Sequence, residues 1–429
     1  MLRKIFVAVA FSAVALPAFA APKGEAGPAQ PLSAPAAAPV AAPAAAYSLS
    51  VLRDMARASH PSLAAADAYV EAGRAQLTTA GAYPNPEVEF MAGRSSARMP
   101  GVVAGSTQSL ALTQRLDNPW QRDARLDAAR FGLEAREAER RGLRNDLLAR
   151  LDQRFFDMLR RQAELRASQE DLGIAEQIRS KVAVRVNTGE SPRFELIKAD
   201  TELLNAQKAA ESAGLRIAQA RAALRTVVGP SLPAEFQVDG SLARSPAVPP
   251  LDELRSEVLA RNPELLRSRA EVRRAERQLD LERLRRQPEV ALKVAEEQDR
   301  ELRDTRLGVV VNVPIWDRRK GPVAEATALL SRSRSEEASQ QLMLVQALEG
   351  AYREYEIART QVNALENGIL REAESTMKVA EAAYRFGERG ILEYLDAQRV
   401  FRAARNELIA ARYALQLAAI EIERLRAPQ

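Results

Sequence analysis

The 429-residue chain contains no cysteine and one histidine, His60, and only 5% of its residues are aromatic. Without cysteine there is no disulfide staple, thiol nucleophile, thiolate metal site or iron–sulfur cluster. A single imidazole furnishes neither a zinc site nor a Ser-His-Asp triad, and no Gly-rich phosphate loop is present. Downstream of the N-terminal segment, no stretch approaches the length of apolar run that a membrane-spanning helix needs. A dominant sign of charge is also missing: 62 Lys+Arg stand against 57 Asp+Glu, for a net charge of +5, and the signs interleave along the chain. Such mixing belongs to solvated helix faces rather than to a nucleic-acid surface. These absences point away from an enzyme, a bound cofactor, a resident metal and a nucleic-acid partner.

What is present begins with an address. Met1 to Ala20 reads as a signal peptide, with Arg3 and Lys4 as the basic region, Ile5 to Leu16 as the apolar stretch and Ala18-Phe19-Ala20 as the cleavage site. Its removal near Ala20 takes away two positive charges and lowers the net charge to +3. No cysteine stands at the cleavage point to accept a lipid. Residues 21–46 are almost all Ala, Pro and Gly, the composition of a flexible leader. An exported chain without a spanning helix can enter a membrane only as strands.

Internal repetition organises the remainder. His60-Pro61 corresponds to Asn262-Pro263, and Asn85-Pro86-Glu87-Val88 to Gln287-Pro288-Glu289-Val290, both at an offset of 202. Over Pro61–Val88 that offset gives nine identities in 28 positions. Thr188-Gly189-Glu190 aligns with Phe386-Gly387-Glu388 at an offset of 198, and Glu195 with Glu393. Two unrelated Ala/Arg-rich helices would not place their Pro and Gly breakers in matching order. The expected units are 47–228 and 251–429, joined by a linker over 229–250.

Each unit has the same layout. A first helix is expected over Ser48–Tyr83 or Asp252–Arg286, then two strands, then a long helix over Trp120–Thr188 or Arg318–Phe386. A break containing Gly189 and Pro192, or Gly387 and Gly390, precedes a return helix, Arg193–Val228 or Ile391–Arg426. The long helices carry apolar stripes at helical spacing, such as Leu143, Leu147, Leu151, Phe155 and Leu159. At 69 residues each they reach roughly 100 Å. A return helix and the following first helix together match that length, which suggests a tall antiparallel palisade. His60, just before Pro61, reads as a cap or boundary rather than a metal ligand.

The strands are expected at Pro86–Gly93, Gln108–Leu116, Pro288–Glu296 and Thr305–Pro314. Their alternation is visible in Val88 and Phe90, Leu110 and Leu112, Val290, Leu292 and Val294, and Leu307, Val309, Val311 and Val313. Their length suits tilted membrane strands of about 9–11 residues. Four strands do not close a barrel, whose smallest membrane form has about 8. Three chains contributing four each close one of twelve and remove every edge. A small soluble sheet capping a helical bundle is the simpler alternative on periodicity alone.

With these elements in place the sequence resembles the TolC family of outer-membrane efflux channels, most closely its heavy-metal cation-efflux (CzcC-like) branch. The likeness covers Ser48 to Ala427. It is carried by the duplicated plan, by Tyr83-Pro84-Asn85-Pro86-Glu87 entering the first strand, and by Val313-Pro314-Ile315-Trp316-Asp317 leaving the fourth. Its strongest carrier is the segment from Tyr384-Arg385-Phe386-Gly387-Glu388-Arg389 through Glu393 and Asp396 to Gln398. Where the branch often has Gly-Gly-Lys-Arg, this chain has Pro119-Trp120-Gln121-Arg122. The resemblance implies a mainly α fold with a β-barrel portion. It implies a homotrimer with a 12-stranded barrel in outer-membrane lipid, continuous with a periplasmic α-helical barrel. It further implies a periplasmic membrane-fusion adaptor and an inner-membrane proton-driven RND pump as partners. The expected function is a passive exit duct, performing no chemistry, for divalent heavy-metal cations such as cobalt, zinc and cadmium. Alternatives are a drug or type I secretion duct of the same family, or a periplasmic coiled-coil adaptor or scaffold. An adaptor would show one helical hairpin set in β-rich domains.

Glu393 and Asp396 are three residues apart and share one helix face. Alone they read as solvated side chains; the resemblance implies that they line a constricted periplasmic entrance, as rings of carboxylates that favour cations. It also implies that Tyr384, Arg389 and Glu195 make contacts holding a closed state, and that the tips around Asn187, Thr188, Gly189, Gly387 and Glu388 meet the adaptor.

Overall fold

The computed structural model describes residues 46–427 apart from residues 97, 100 and 102–104. The expected signal peptide and all but the last residue of the expected leader fall outside the described residues. Each half has the same order of elements. The first contains α1 (Leu49–Ser59), α2 (Pro61–Gly81), β2 (Glu87–Arg94), β3 (Ser106–Arg115), α3 (Pro119–Asn187) and α4 (Arg193–Val228). The second contains α5 (Leu251–Arg261), α6 (Pro263–Leu284), β5 (Glu289–Gln298), β6 (Arg303–Asn312), α7 (Lys320–Ala364), α8 (Leu370–Arg385) and α9 (Ile391–Arg426). Two short strands, β1 (Ala46–Tyr47) and β4 (Gln237–Val238), pair in parallel and tie the start of the first half to the linker.

The expected first helices, Ser48–Tyr83 and Asp252–Arg286, are each two helices. The residue before proline is pushed out of the helical region, and His60 (ψ 123°) and Asn262 (ψ 125°) are extended accordingly. Both side chains cap the helix that follows. His60 Nδ1 accepts from the Ser62 amide at 3.2 Å. Asn262 Oδ1 accepts from Glu264 and Leu265 at 3.0 and 3.3 Å, and its Nδ2 donates to the Leu425 carbonyl at 2.9 Å. The expected helix Arg318–Phe386 begins later, at Lys320, and is interrupted by a π-helical turn, Leu365–Ile369. Asn367 and Gly368, both poor helix formers, sit in that turn; its counterpart α3 runs unbroken for 69 residues.

The four long strands form one antiparallel sheet in the order β2-β3-β5-β6. Their ends lie within two residues of the expected ones. Register places Val88 opposite Leu112, Leu112 opposite Val294 and Val294 opposite Leu307. With Phe90, Leu110, Leu292, Val309 and Val311 these residues occupy one face, because side chains alternate along a strand. The other face carries Glu87, Glu89, Thr113 and Lys293. Arg115 pairs with Glu87 at 2.9 Å, and Lys293 reaches Glu89 at 3.4 Å across β3. Among the described residues β2 and β6 each keep one edge without a partner strand.

Each half has its own apolar core at the level of the linker. In the first half, Leu52 and Ala56 of α1 pack against Leu151, Phe155 and Met158 of α3 and against Leu224 and Val228 of α4. In the second, Leu254 and Val258 of α5 meet Leu348 and Tyr355 of α7 and Leu415 and Ile422 of α9. The return helices repeat a small residue every seven positions: Ala199, Ala206, Ala213 and Ala220 on α4, and Ala397, Ala404, Ala411 and Ala418 on α9, all buried. A seven-residue repeat of buried positions brings helices together as a left-handed coiled coil, and alanine allows close approach of their backbones.

The two caps give a paired expectation. Asn262 is buried and holds three backbone groups, whereas His60 sits at a part-exposed boundary. Asn262→Ala removes a cap and leaves the Leu425 carbonyl without its donor, costing about 2–3 kcal/mol. His60→Ala costs about 1 kcal/mol. Urea unfolding of the two variants should show this order; equal losses would refute it.

Candidate functional site: the helical tips

The far ends of α3 and α8 turn through the same motif. After α3, the Glu190 amide donates to the Arg185 carbonyl at 2.8 Å and the Gly189 amide to Val186 at 3.1 Å. After α8, Glu388 donates to Ala383 at 2.9 Å and Gly387 to Tyr384 at 3.2 Å. This nested pair is a Schellman C-cap, which needs a left-handed residue at its centre. Gly189 (φ +79°) and Gly387 (φ +77°) supply it. Asn187, Thr188, Gly189, Gly387 and Glu388 are all exposed at the turns.

Behind the turns lies an apolar cluster that draws on both halves: Ile178 and Val182 of α3, Ala199 of α4, Tyr384 of α8, and Ile391 and Tyr394 of α9. The Tyr384 and Tyr394 rings stack with centroids 6.0 Å apart, and the Arg185 guanidinium lies 5.1 Å from the Tyr384 centroid. Burial pushes the Tyr394 phenol up to about 12. It also raises that of Tyr384, against the pull of the Arg185 charge. Among the described residues the buried Tyr384 hydroxyl and Glu195 Oε2 have no hydrogen-bond partner. A cavity of about 630 Å³, lined by Ile178, Lys181, Arg185, Glu381, Tyr384 and Tyr394 among others, opens beside them.

The carboxylates of Glu393 and Asp396 are exposed on the first turns of α9. Each has an arginine of its own helix region: Arg389 donates to Glu393, and Arg399 to Asp396. Arg389 therefore bonds locally, while Tyr384 and Glu195 lie near each other without a mutual bond. Sequence reasoning missed Arg399, and it missed the links from α9 to the first half, where Arg402 bonds Glu202 and Arg405 bonds Asp171 at 2.7 Å. Nothing local marks them in so arginine-rich a chain, since their partners lie about two hundred positions away. Among the described residues no group of three or more His, Asp or Glu is placed to hold a metal ion.

The sequence profile of the outer membrane efflux protein family matches residues 52–230 and, a second time, residues 254–426. The chain belongs to the outer membrane efflux protein family. It is a family of transport ducts rather than enzymes. Over 382 residues the chain is 25% identical to the cobalt-zinc-cadmium resistance protein CzcC of Cupriavidus metallidurans, covering 88% of this chain and 89% of that one. Its fold is that of CusC, with a TM-score of 0.77 at 20% identity over 88% of this chain and 91% of the other. It is also that of the open-state MtrE outer membrane channel of Neisseria gonorrhoeae, with a TM-score of 0.72 at 18% identity over 88% of each chain.

Two measurements probe the tips. A Cβ at Gly189 or Gly387 meets nothing within 4 Å, so Gly→Ala at either costs only its left-handed strain, about 1–2 kcal/mol. A loss well above that would reveal a neighbour at the turn. Glu393→Ala with Asp396→Ala should raise single-channel conductance or alter cation preference in reconstituted bilayers. Unchanged conductance and selectivity would overturn the expectation that these residues line a pore.

Proposed function

We propose that this chain is the outer-membrane exit duct of a tripartite efflux system and that its cargo is divalent heavy-metal cations. The observation that carries the membrane assignment is the sheet: one face is apolar throughout its centre, the other carries paired charges, and two edges stand open. An unpaired edge in hydrocarbon costs several kcal/mol per backbone group, so the sheet closes with those of two further copies into a twelve-stranded barrel. Both tryptophans, Trp120 and Trp316, are exposed just beyond the ends of β3 and β6, where aromatic side chains favour the boundary of a bilayer. No helix among the described residues is long and apolar enough to cross a membrane, and strands need none.

Below the barrel the helices extend into the periplasm. Glu393 and Asp396 line its narrow end, Tyr384, Arg389 and Glu195 help hold the closed state, and the two Schellman turns receive the periplasmic adaptor of a proton-driven inner-membrane pump. The heavy-metal cargo is supported by the likeness to a cobalt-zinc-cadmium resistance protein. Cargo passes without being held, so a chain with one histidine and no cysteine suits the role.

Outer-membrane fractions should yield a detergent-stable trimer of roughly three times the mature mass, and a soluble periplasmic monomer would overturn the duct. A deletion strain should gain sensitivity to cobalt, zinc or cadmium. Sensitivity confined to dyes and antibiotics would reassign the cargo and leave the duct in place.

A further inference from the structure

The apolar clusters at the linker level each belong to one half, and between the β3–β5 ladder at one end and the shared tip cluster at the other the halves are joined by a series of ion pairs. Beside the sheet, Arg273 and Arg277 of α6 meet Glu134 and Asp127 of α3 at 2.8 and 3.9 Å. Near the linker, Arg424 of α9 meets Asp146 at 3.0 Å. Closer to the tips, Arg402 bonds Glu202 of α4, and Arg405 bonds Asp171 at 2.7 Å, Glu170 at 3.1 Å and the Ala167 carbonyl at 3.0 Å. All these pairs share one polarity. Among the described residues, every ion pair joining the halves takes its cation from the second half and its carboxylate from the first. Two repeats of common origin with signs mixed at random would not sort in this way.

We propose that the seam is a one-way electrostatic zipper, and that Arg402 and Arg405 form its clasp, setting the resting spacing of the two tip hairpins. The clasp lies between two apolar clusters. Above it the second-half core ends at Leu408, below it the tip cluster begins at Tyr394, and between them α9 buries Ala397, Ala404 and the polar Gln398 but no large apolar side chain. Arg405 and Asp171 are largely buried, with side chains 16% and 12% exposed. Desolvation nevertheless outweighs the attraction of both arginines and raises the Asp171 carboxyl above its ordinary value. A pair so balanced adds little to stability, yet loss of one partner leaves an uncompensated buried charge. Such an interface separates intact into water at modest cost and rejoins only in register. Its polarity also forbids a first half from seating against another first half through this face, because carboxylates would meet carboxylates.

The absence of cysteine makes the test direct. Lys208→Cys on α4 and Asn406→Cys on α9 are the only thiols in the altered chain, and both sites are exposed. Spin labels there, diluted with unlabelled chain, report the hairpin spacing by double electron–electron resonance, independently of whether the protein conducts. Arg402→Glu with Arg405→Glu should lengthen and broaden the distance distribution. Adding Glu202→Arg and Asp171→Arg should bring it back. The milder Arg402→Gln/Arg405→Gln variant should move it in the same direction and carries the test if the reversed chain fails to fold. A distribution that stays unchanged in the Arg variants, or does not recover with the compensating reversals, overturns the clasp. In bilayers the reversed variant should show a several-fold rise in conductance, an arm that rests on the duct reading. A conducting parent with unmoved label distances defeats the clasp alone, whereas a parent that forms no channel but shows the distance changes defeats the duct alone.

Discussion

A backbone amide or carbonyl on an open strand edge needs a partner, and this constraint governs the sheet end of the molecule. β2 and β6 carry open rows of such groups, so a sheet with one apolar face is an incomplete object. Everything below it follows from where the strands leave off. β3 passes through Asn118, whose side chain accepts from the Trp120 amide at 3.0 Å and starts α3. β6 passes through Arg319, held at φ +51° and bonded to the buried Glu282 at 2.5 Å. These two junctions convert strands into helices and aim the long helices away from the sheet.

Much of this was legible in the order of the residues. Strand faces could be read because alternation of Val and Leu with polar residues has a period that only a pleated chain satisfies. The tip turns could be read because Gly189 and Gly387 stand in matching places, and a left-handed position admits little else. The breaks at His60 and Asn262 were visible as X-Pro pairs, yet the apolar periodicity continues across them and reads as one helix. The π turn was hidden for a related reason: Leu365 and Leu370 keep an apolar stripe going on either side of Asn367 and Gly368. Two-residue strands such as β1 and β4 are too short to carry a period at all.

The tip was legible in its residues and not in its pairings. Glu393 and Asp396 stand out by spacing, but that each faces an arginine depends on side-chain rotamers. The links from Arg402 and Arg405 join positions about two hundred residues apart, and such links appear only once the helices are laid side by side. Repetition creates that difficulty, because a duplicated sequence offers two equivalent partners for every contact and only the folded chain chooses between them.

The π turn at Leu365–Ile369 bears on symmetry. One extra residue in a helical turn rotates everything beyond it by about 100° relative to an unbroken helix. The first half has no such turn, so two repeats that match near the sheet cease to be interchangeable towards the tips. In the proposed trimer the six repeats can therefore look alike at the sheet end and differ at the tips. That loss of equivalence lets one hairpin of each chain act differently from its neighbour.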